Sequence, residues 1–338
     1  MSLANASDLI SSWTANGGSL DATDVSTIQG NASDIESLYN SSGITGLGNE
    51  DIILFYSIPT AALLKRLVNY TSGTINAQYL TSIKGKASDL IIIYSSSGII
   101  GLGNEAINIT SGSATTSQAN TLAAATSGIV TANISEGDMT TLAGLNETGN
   151  AFSINITDNS VAASALNTLD SKTTVDVNAI AVTTITGTAV DVITAYTATG
   201  SINGLGNEAN TVTDTSITVA QANTLAAQTT GVVTATISDG DMTTLAGLAE
   251  TGNAYTVTIT DASVAASALN TLNAKTTGVV TVQATTITGT ATDISAAYAA
   301  NTAGTITGLG NEAVTLTDTS INASALITLD AFTTGIIN

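Results

Sequence analysis

A five-residue segment, Gly-Leu-Gly-Asn-Glu, occurs four times in this chain and limits its possible folds more than any other feature. The copies begin at Gly46, Gly101, Gly204 and Gly308, which are 55, 103 and 104 residues apart. Two longer segments, DMTTLAGL and VAASALNTL, also recur 103 residues apart. A block of about 103 residues has therefore been copied, and a shorter relative precedes it. Repetition on this scale predicts a stack of similar structural units.

A finer repeat, with a period of roughly 22 to 30 residues, lies inside the long block and reads as a strand followed by a short helix. Tyr255, Val257 and Ile259 alternate with threonines, which is the pattern of a strand buried on one face. Leu269 and Leu272 then follow at helical spacing. A strand and helix of this size cannot bury their own apolar faces, so the βα repeats must stack on one another.

These patterns predict an α/β fold, a right-handed strand-helix solenoid with one long parallel sheet and short helices covering a side. The repeats are similar to leucine-rich repeats in size and in strand-helix order, although no asparagine recurs at the diagnostic ladder position. The alternative is a parallel β-helix, which suits the threonine-rich strands but not the helical stripes. We expect residues 1–100 to form divergent N-terminal repeats. Residues 101–338 should form regular repeats continuous with them, as one elongated solenoid from a longer protein.

Helix ends are indicated by small polar residues and glycines. Asp241, and either Asp261 or Ser263, stand where an N-cap is expected, while Gly252 or Gly278 stands where a helix would end.

A second kind of repeat places an acid three residues after a polar residue and ends in tyrosine, which resembles a capping box in three of four copies. The pairs are Asn31 with Asp34, Lys86 with Asp89, Thr188 with Asp191 and Thr290 with Asp293.

Composition excludes several classes of function. The chain has no cysteine and no histidine, which removes thiolate nucleophiles, imidazole bases, disulfides and most zinc, copper or haem sites. Its 26 acidic and 6 basic residues make binding to a nucleic acid backbone unfavourable. No apolar run is long enough to insert into a membrane. Acids recur at equivalent repeat positions, as Asp138 and Asp241 do, which is typical of a scaffold and predicts that the protein is not an enzyme.

The four GLGNE segments offer amide and carboxylate oxygens in tight turns, and oxygens of this kind bind calcium. They resemble the core of the glycine-rich calcium repeats in haemolysin-type exported proteins, but lack the doubled leading glycine and the tandem nine-residue spacing. Calcium is the only cofactor that the sequence predicts, and the alternative is an ordinary turn with an outward-facing acid. The candidate ligands are Asn49, Glu50, Asn104, Glu105, Asn207, Glu208, Asn311 and Glu312.

The threonine-, alanine- and asparagine-rich repeats resemble those of very large cell-surface and haemolysin- or adhesin-like proteins of marine bacteria, especially cyanobacteria. The resemblance is best over residues 100–338. It implies an extracellular or cell-surface location, a calcium-rich exterior and a role as a spacer or binding surface.

The leading functional prediction is a non-catalytic structural or interaction module, a spacer or presentation scaffold of a large exported protein. One alternative is an adhesin that binds carbohydrate or another surface. Another is an ice-binding array of outward threonines such as Thr234, Thr236, Thr256 and Thr258, and a third is a polysaccharide-active enzyme. The predicted partners are surface glycans, other proteins, or further copies of the chain joined end to end.

Overall fold

A computed structural model describes residues 2–55, 57–198 and 201–338, in which short strands and short helices alternate. The helices are Ala6–Ala15 (α1), Ala32–Tyr39 (α2), Ala61–Tyr70 (α3), Ala87–Tyr94 (α4), Thr116–Ala125 (α5), Met139–Leu142 (α6), Ala163–Asp170 (α7), Ala189–Thr197 (α8), Val219–Ala226 (α9), Met242–Leu245 (α10), Ala266–Lys275 (α11), Ala291–Ala303 (α12) and Ala323–Asp330 (α13). Within these described ranges, no helix combines the length and apolar character needed to cross a membrane.

The strands are short. They are Ser2–Asn5 (β1), Leu20–Asp21 (β2), Val25–Gly30 (β3), Ile44–Thr45 (β4), Asp51–Leu54 (β5), Ile75–Asn76 (β6), Ser82–Gly85 (β7), Ile99–Ile100 (β8), Ala106–Ile109 (β9), Val130–Asn133 (β10), Ala151–Asn155 (β11), Ser160–Ala162 (β12), Val177–Asn178 (β13), Thr184–Gly187 (β14), Ile202–Asn203 (β15), Ala209–Val212 (β16), Val233–Thr236 (β17), Ala254–Ile259 (β18), Ser263–Ala265 (β19), Val280–Val282 (β20), Thr286–Gly289 (β21), Ile306–Thr307 (β22) and Ala313–Leu316 (β23).

The strand pairings of the described residues are parallel and link positions that are close in sequence. Thr131 pairs with Ala151, for example, and Thr286 pairs with Ala313. The two partners of each pair are separated by about the length of one βα repeat. Each strand therefore pairs with a strand of the next repeat along the chain. The prediction of an α/β fold with parallel strands is confirmed.

The expectation of one long sheet is wrong, because the strands divide among several parallel sheets. These sheets contain five, six, seven, three and two strands. The long strand β18 lies inside the seven-strand sheet. Thr256 in its first half pairs with Thr236 of β17, whereas Val257 in its second half pairs with Val280 of β20.

The chain forms two compact units. Compact unit 1 comprises Met1–Thr157 with Thr168–Asn178, and compact unit 2 comprises Asp158–Asn167 with Ala179–Asn338. The change from one unit to the other thus falls between residues 157 and 179.

The core follows the predicted periodicities. In β18, Tyr255, Val257 and Ile259 are buried while Thr256 is exposed. In α11, Leu269 and Leu272 are buried on one face. Each such aliphatic side chain contributes about 1.5–3 kcal/mol to stability through removal from water.

The predicted N-cap bonds are present in three of the four copies, but the acid three residues later accepts from the N-cap side chain and not from its backbone N–H, so these helix starts are not capping boxes. The side chains of Asn31, Thr188 and Thr290 accept hydrogen bonds from the backbone N–H three residues later, at 2.9, 3.1 and 3.1 Å. Asp241 caps α10 in the same way, at 2.8 Å. Lys86 makes no such bond.

Acidic side chains also cap the helix of the preceding repeat. The N–H groups of Ala189, Val219, Met242 and Ala291 donate to Asp214, Asp239, Asp261 and Asp318 at 2.6–2.7 Å. The expectation that Asp261 or Ser263 caps its own helix is therefore wrong, because α11 begins after Ala265 and the Asp261 carboxylate is engaged by α10. These bonds satisfy helix N-terminal donors and tie successive repeats together.

Candidate functional site

The four GLGNE turns each bury a glutamate and expose the asparagine before it. The exposed fractions of Glu50, Glu105, Glu208 and Glu312 are 0, 1, 0 and 1%. The adjacent asparagines, Asn49, Asn104, Asn207 and Asn311, are more accessible to solvent. The structure therefore sends the two predicted calcium ligands of each turn into different environments.

In compact unit 1, the turn's own backbone and a tyrosine from the preceding helix bind the carboxylate. Glu50 accepts hydrogen bonds from the N–H groups of Gly48 and Asn49 at 2.8 and 3.1 Å, and from the hydroxyl of Tyr39. The second copy repeats this arrangement around Glu105, with Tyr94 as the tyrosine.

Compact unit 2 repeats the tyrosine and glycine contacts in its two copies. The hydroxyl of Tyr196 donates to Glu208 at 2.9 Å, and the hydroxyl of Tyr298 donates to Glu312 at 2.9 Å. The N–H of Gly206 donates to Glu208 at 2.8 Å. The alternative to calcium was an ordinary turn whose acid faces solvent. That part of the alternative is wrong, because the glutamates face inward. The inward carboxylate is stable because backbone and tyrosine donors replace its water.

The third copy carries a buried polar residue that the others lack. Asn210 is fully buried in β16, and its side chain lies 3.1–3.2 Å from the hydroxyl of Tyr196. The position two residues after the glutamate is Ile52, Ile107 or Val314 in the other copies. One carboxylate oxygen of Glu208, Oε1, is buried without a hydrogen-bond partner.

Burial keeps three of the turn tyrosines protonated. Removal from water raises the pKa of Tyr298 to about 12, and the pKa values of Tyr94 and Tyr196 are raised for the same first cause. A neutral tyrosine retains its proton, so these three hydroxyls remain donors to their glutamates throughout the ordinary pH range.

The two glycines of the turn are required by its backbone. Gly46 and Gly48 have φ of +84° and +137°, which side chains of L residues rarely adopt. A Cβ on Gly46 would also lie 2.5 Å from the backbone nitrogen of Thr23. The glycines therefore make the turn that presents the N–H of Gly48 to the carboxylate.

A Thr-Ser-Gly or Thr-Thr-Gly turn packs against the strand that follows each GLGNE turn, and a fifth such turn packs against β18. Sequence reasoning missed these turns. The Thr229 hydroxyl donates to the carbonyl of Glu208 at 2.7 Å and accepts from the N–H of Gly231 at 3.0 Å. A Cβ on Gly231 would lie 2.3 Å from that carbonyl oxygen. The sequence contains a signal for these turns, because each glycine lies the same number of residues after the residue whose carbonyl oxygen it approaches. The turns contain Gly73, Gly128, Gly231, Gly278 and Gly335.

These turns also correct the predicted helix ends. Gly278 does not have the left-handed backbone that a helix-ending glycine adopts. It is needed because a Cβ would lie 2.4 Å from the carbonyl oxygen of Tyr255. Gly252 has a φ of +86° but lies well beyond the end of α10 at Leu245.

Two buried asparagines make the kind of contact that an asparagine ladder makes. The side-chain oxygens of Asn150 and Asn253 accept hydrogen bonds from the N–H groups of Val130 and Val233, each at 2.8 Å. No ladder asparagine was predicted from the sequence. The segment Thr-Gly-Asn, which ends at Asn150 and again at Asn253, could have indicated these contacts.

A groove of about 680 Å³ lies on the outer strand face of compact unit 1. Its polar lining includes Asn108 on β9, Thr131 and Asn133 on β10, Ser153 on β11, and Asp176 in the loop before β13. Thr131 is in register with Asn108 on one side, and Asn133 with Ser153 on the other. Neighbouring strands are about 4.8 Å apart, so these side chains converge on one surface.

No group of three or more histidine, cysteine, aspartate or glutamate side chains that could hold a metal ion occurs within residues 2–55, 57–198 and 201–338. No protein-family model matches the chain, and comparisons with curated proteins and with solved structures return no match.

Proposed function

We propose that this protein is a non-catalytic structural module, a right-handed strand-helix solenoid that acts as a spacer or presentation scaffold of a large exported or cell-surface protein. The observation that carries this proposal is the parallel pairing of each strand with a strand about one repeat further along the chain, as in Thr131 with Ala151 and Thr286 with Ala313. In such an array each repeat contacts only its neighbours, and stability is a sum over repeats and their interfaces.

The GLGNE turns support a structural role. The same buried glutamate, turn glycine and helix tyrosine meet in all four copies. A reaction needs one accessible site, whereas these carboxylates are buried and engaged by donors of the protein. Their repetition supports a joint that fixes each helix to the following strand.

A deletion of one whole block tests the proposed architecture. Removing residues 204–307 joins Asn203 directly to Gly308 and restores an intact GLGNE turn. We expect this variant to fold, with an unchanged circular dichroism signal per residue and a cooperative but less stable unfolding transition, because only neighbour contacts are lost.

The matched control removes about half a block, residues 204–255, and brings unlike parts of the repeat together. We expect it to unfold at lower denaturant concentration than the whole-block deletion, or not to fold. If the whole-block deletion loses its structure while the half-block deletion keeps it, the proposed architecture is wrong.

A further inference from the structure

The groove of compact unit 1 has diverged from the equivalent surface of compact unit 2, although both belong to copies of the same block. The polar side chains that differ are amides, a hydroxyl and a carboxylate in compact unit 1, and the copy has hydroxyls and an apolar residue in their place. The equivalent pairs, each 103 residues apart, are Asn108 with Thr211, Asn133 with Thr236, Ser153 with Thr256 and Asp176 with Val279. The fold tolerates threonine at these strand positions, so the amides are not needed for the strand itself.

The loop beside the groove has diverged as well. Thr173 makes the same bond to the carbonyl of Phe152, at 2.8 Å, that Thr276 makes to Tyr255. However, Val175 stands where compact unit 2 has Gly278. Because a Cβ in the glycine-containing turn would lie 2.4 Å from the strand carbonyl, the valine requires its loop to stand farther from the strand.

The chemistry of the groove suits a ligand with many hydroxyl groups. Each asparagine offers both a donor and an acceptor, serine and threonine offer either, and Asp176 accepts hydrogen bonds when ionised. A sugar hydroxyl likewise donates and accepts. The volume of about 680 Å³ lies within the 300–1,000 Å³ typical of small-molecule sites.

Charge and topology argue against other ligands. Asp176 in the groove and the net charge of −20 disfavour a phosphorylated, sulfated or acidic ligand. A peptide cannot join the sheet as an added strand here, because β10 is already paired with β9 and β11.

We propose that this groove binds a neutral oligosaccharide through Asn108, Asn133 and Asp176. The scaffold role does not depend on this site, so the two proposals can fail separately.

A printed array of neutral, sialylated and sulfated glycans tests the proposal on the full chain. The variant replaces the three residues with those of the second copy, as Asn108→Thr, Asn133→Thr and Asp176→Val. We expect saturable binding of the unmodified protein to neutral glycans, and at least a tenfold weaker signal for the triple variant at an unchanged melting temperature.

The matched control makes the reverse changes in compact unit 2, Thr211→Asn, Thr236→Asn and Val279→Asp, and should retain the binding of the unmodified protein. The proposal is overturned if no neutral glycan binds, if only anionic glycans bind, or if the triple variant binds as well as the unmodified protein. If the triple variant fails to fold, the three single variants decide. The proposal is overturned if all three fold correctly and bind as well as the unmodified protein.

Discussion

The two copies of the long block share one framework but use it differently. In compact unit 2, threonines in register bond to one another, as Thr281 and Thr307 do at 3.2 Å between their hydroxyl oxygens. In compact unit 1, the outer face carries Asn108 and Asn133 and encloses a groove. The GLGNE turns of both keep the same buried glutamate and its tyrosine donor. Duplication thus separates what the fold requires, which is repeated, from what is free to specialise.

The buried positions show the reverse asymmetry. Ile107 of compact unit 1 is an ordinary core residue, while the equivalent Asn210 of compact unit 2 is a fully buried amide beside Tyr196. At this turn, compact unit 1 keeps an apolar core residue and differs from its copy on the outer surface. Compact unit 2 instead carries a polar residue in the core. Substitutions that exchange equivalent residues between the two copies measure how far each difference depends on its own surroundings.

Exchanging the buried residues should give the largest effect. Ile107→Asn would remove a buried aliphatic side chain and introduce an amide, and we expect a loss of about 3 kcal/mol in the free energy of unfolding. Asn210→Ile should raise it by about 1 kcal/mol, because an apolar side chain replaces a buried amide. Denaturant titration measures both. A loss on Asn210→Ile as large as that on Ile107→Asn would show that the Tyr196–Asn210 contact stabilises the turn.

The sequence predicted the elements better than their contacts. Alternation in β18 and the helical spacing of Leu269 and Leu272 follow from burial within one repeat, and both patterns are visible locally. The inward direction of Glu208 depends on Tyr196 of the preceding helix, and a carboxylate is ordinarily exposed. The joint recurrence of the tyrosine and GLGNE in all four copies was the signal for that contact.

The groove could not be predicted for a related reason. Its lining comes from three strands and a loop, and which outward residues meet depends on the register between successive strands, which pairs Asn108 with Thr131 and Asn133 with Ser153. That register is set by the lengths of the individual turns and helices between the strands. In the sequence alone, Asn108 and Asn133 only interrupt a pattern of outward threonines, and nothing there places them on one surface.

Exchanging the turn residues should have a smaller effect. Gly278→Val places a Cβ close to the carbonyl oxygen of Tyr255, at 2.4 Å, and we expect a loss of about 2 kcal/mol through overpacking. Val175→Gly should change stability by less than about 1 kcal/mol, since its loop has already made room. Thr277→Ala, a neighbouring change that creates no close contact, is the control for altering this loop. Equal losses for Gly278→Val and Val175→Gly would mean that the two loops stand equally far from their strands.

Chelation should have the smallest effect, and it tests the predicted calcium at all four turns together. A calcium ion bound by Glu105 or Glu208 would compete with the turn N–H groups and with Tyr94 or Tyr196 for the same carboxylate oxygens. We therefore expect EGTA to leave the melting temperature unchanged, because a ligand that does not bind the native state cannot stabilise it. A melting temperature that falls in EGTA and recovers with excess calcium would show that the GLGNE prediction was right. If that response vanished in Glu208→Gln but persisted in Glu105→Gln, the ion would belong to the copy whose Oε1 is buried without a partner.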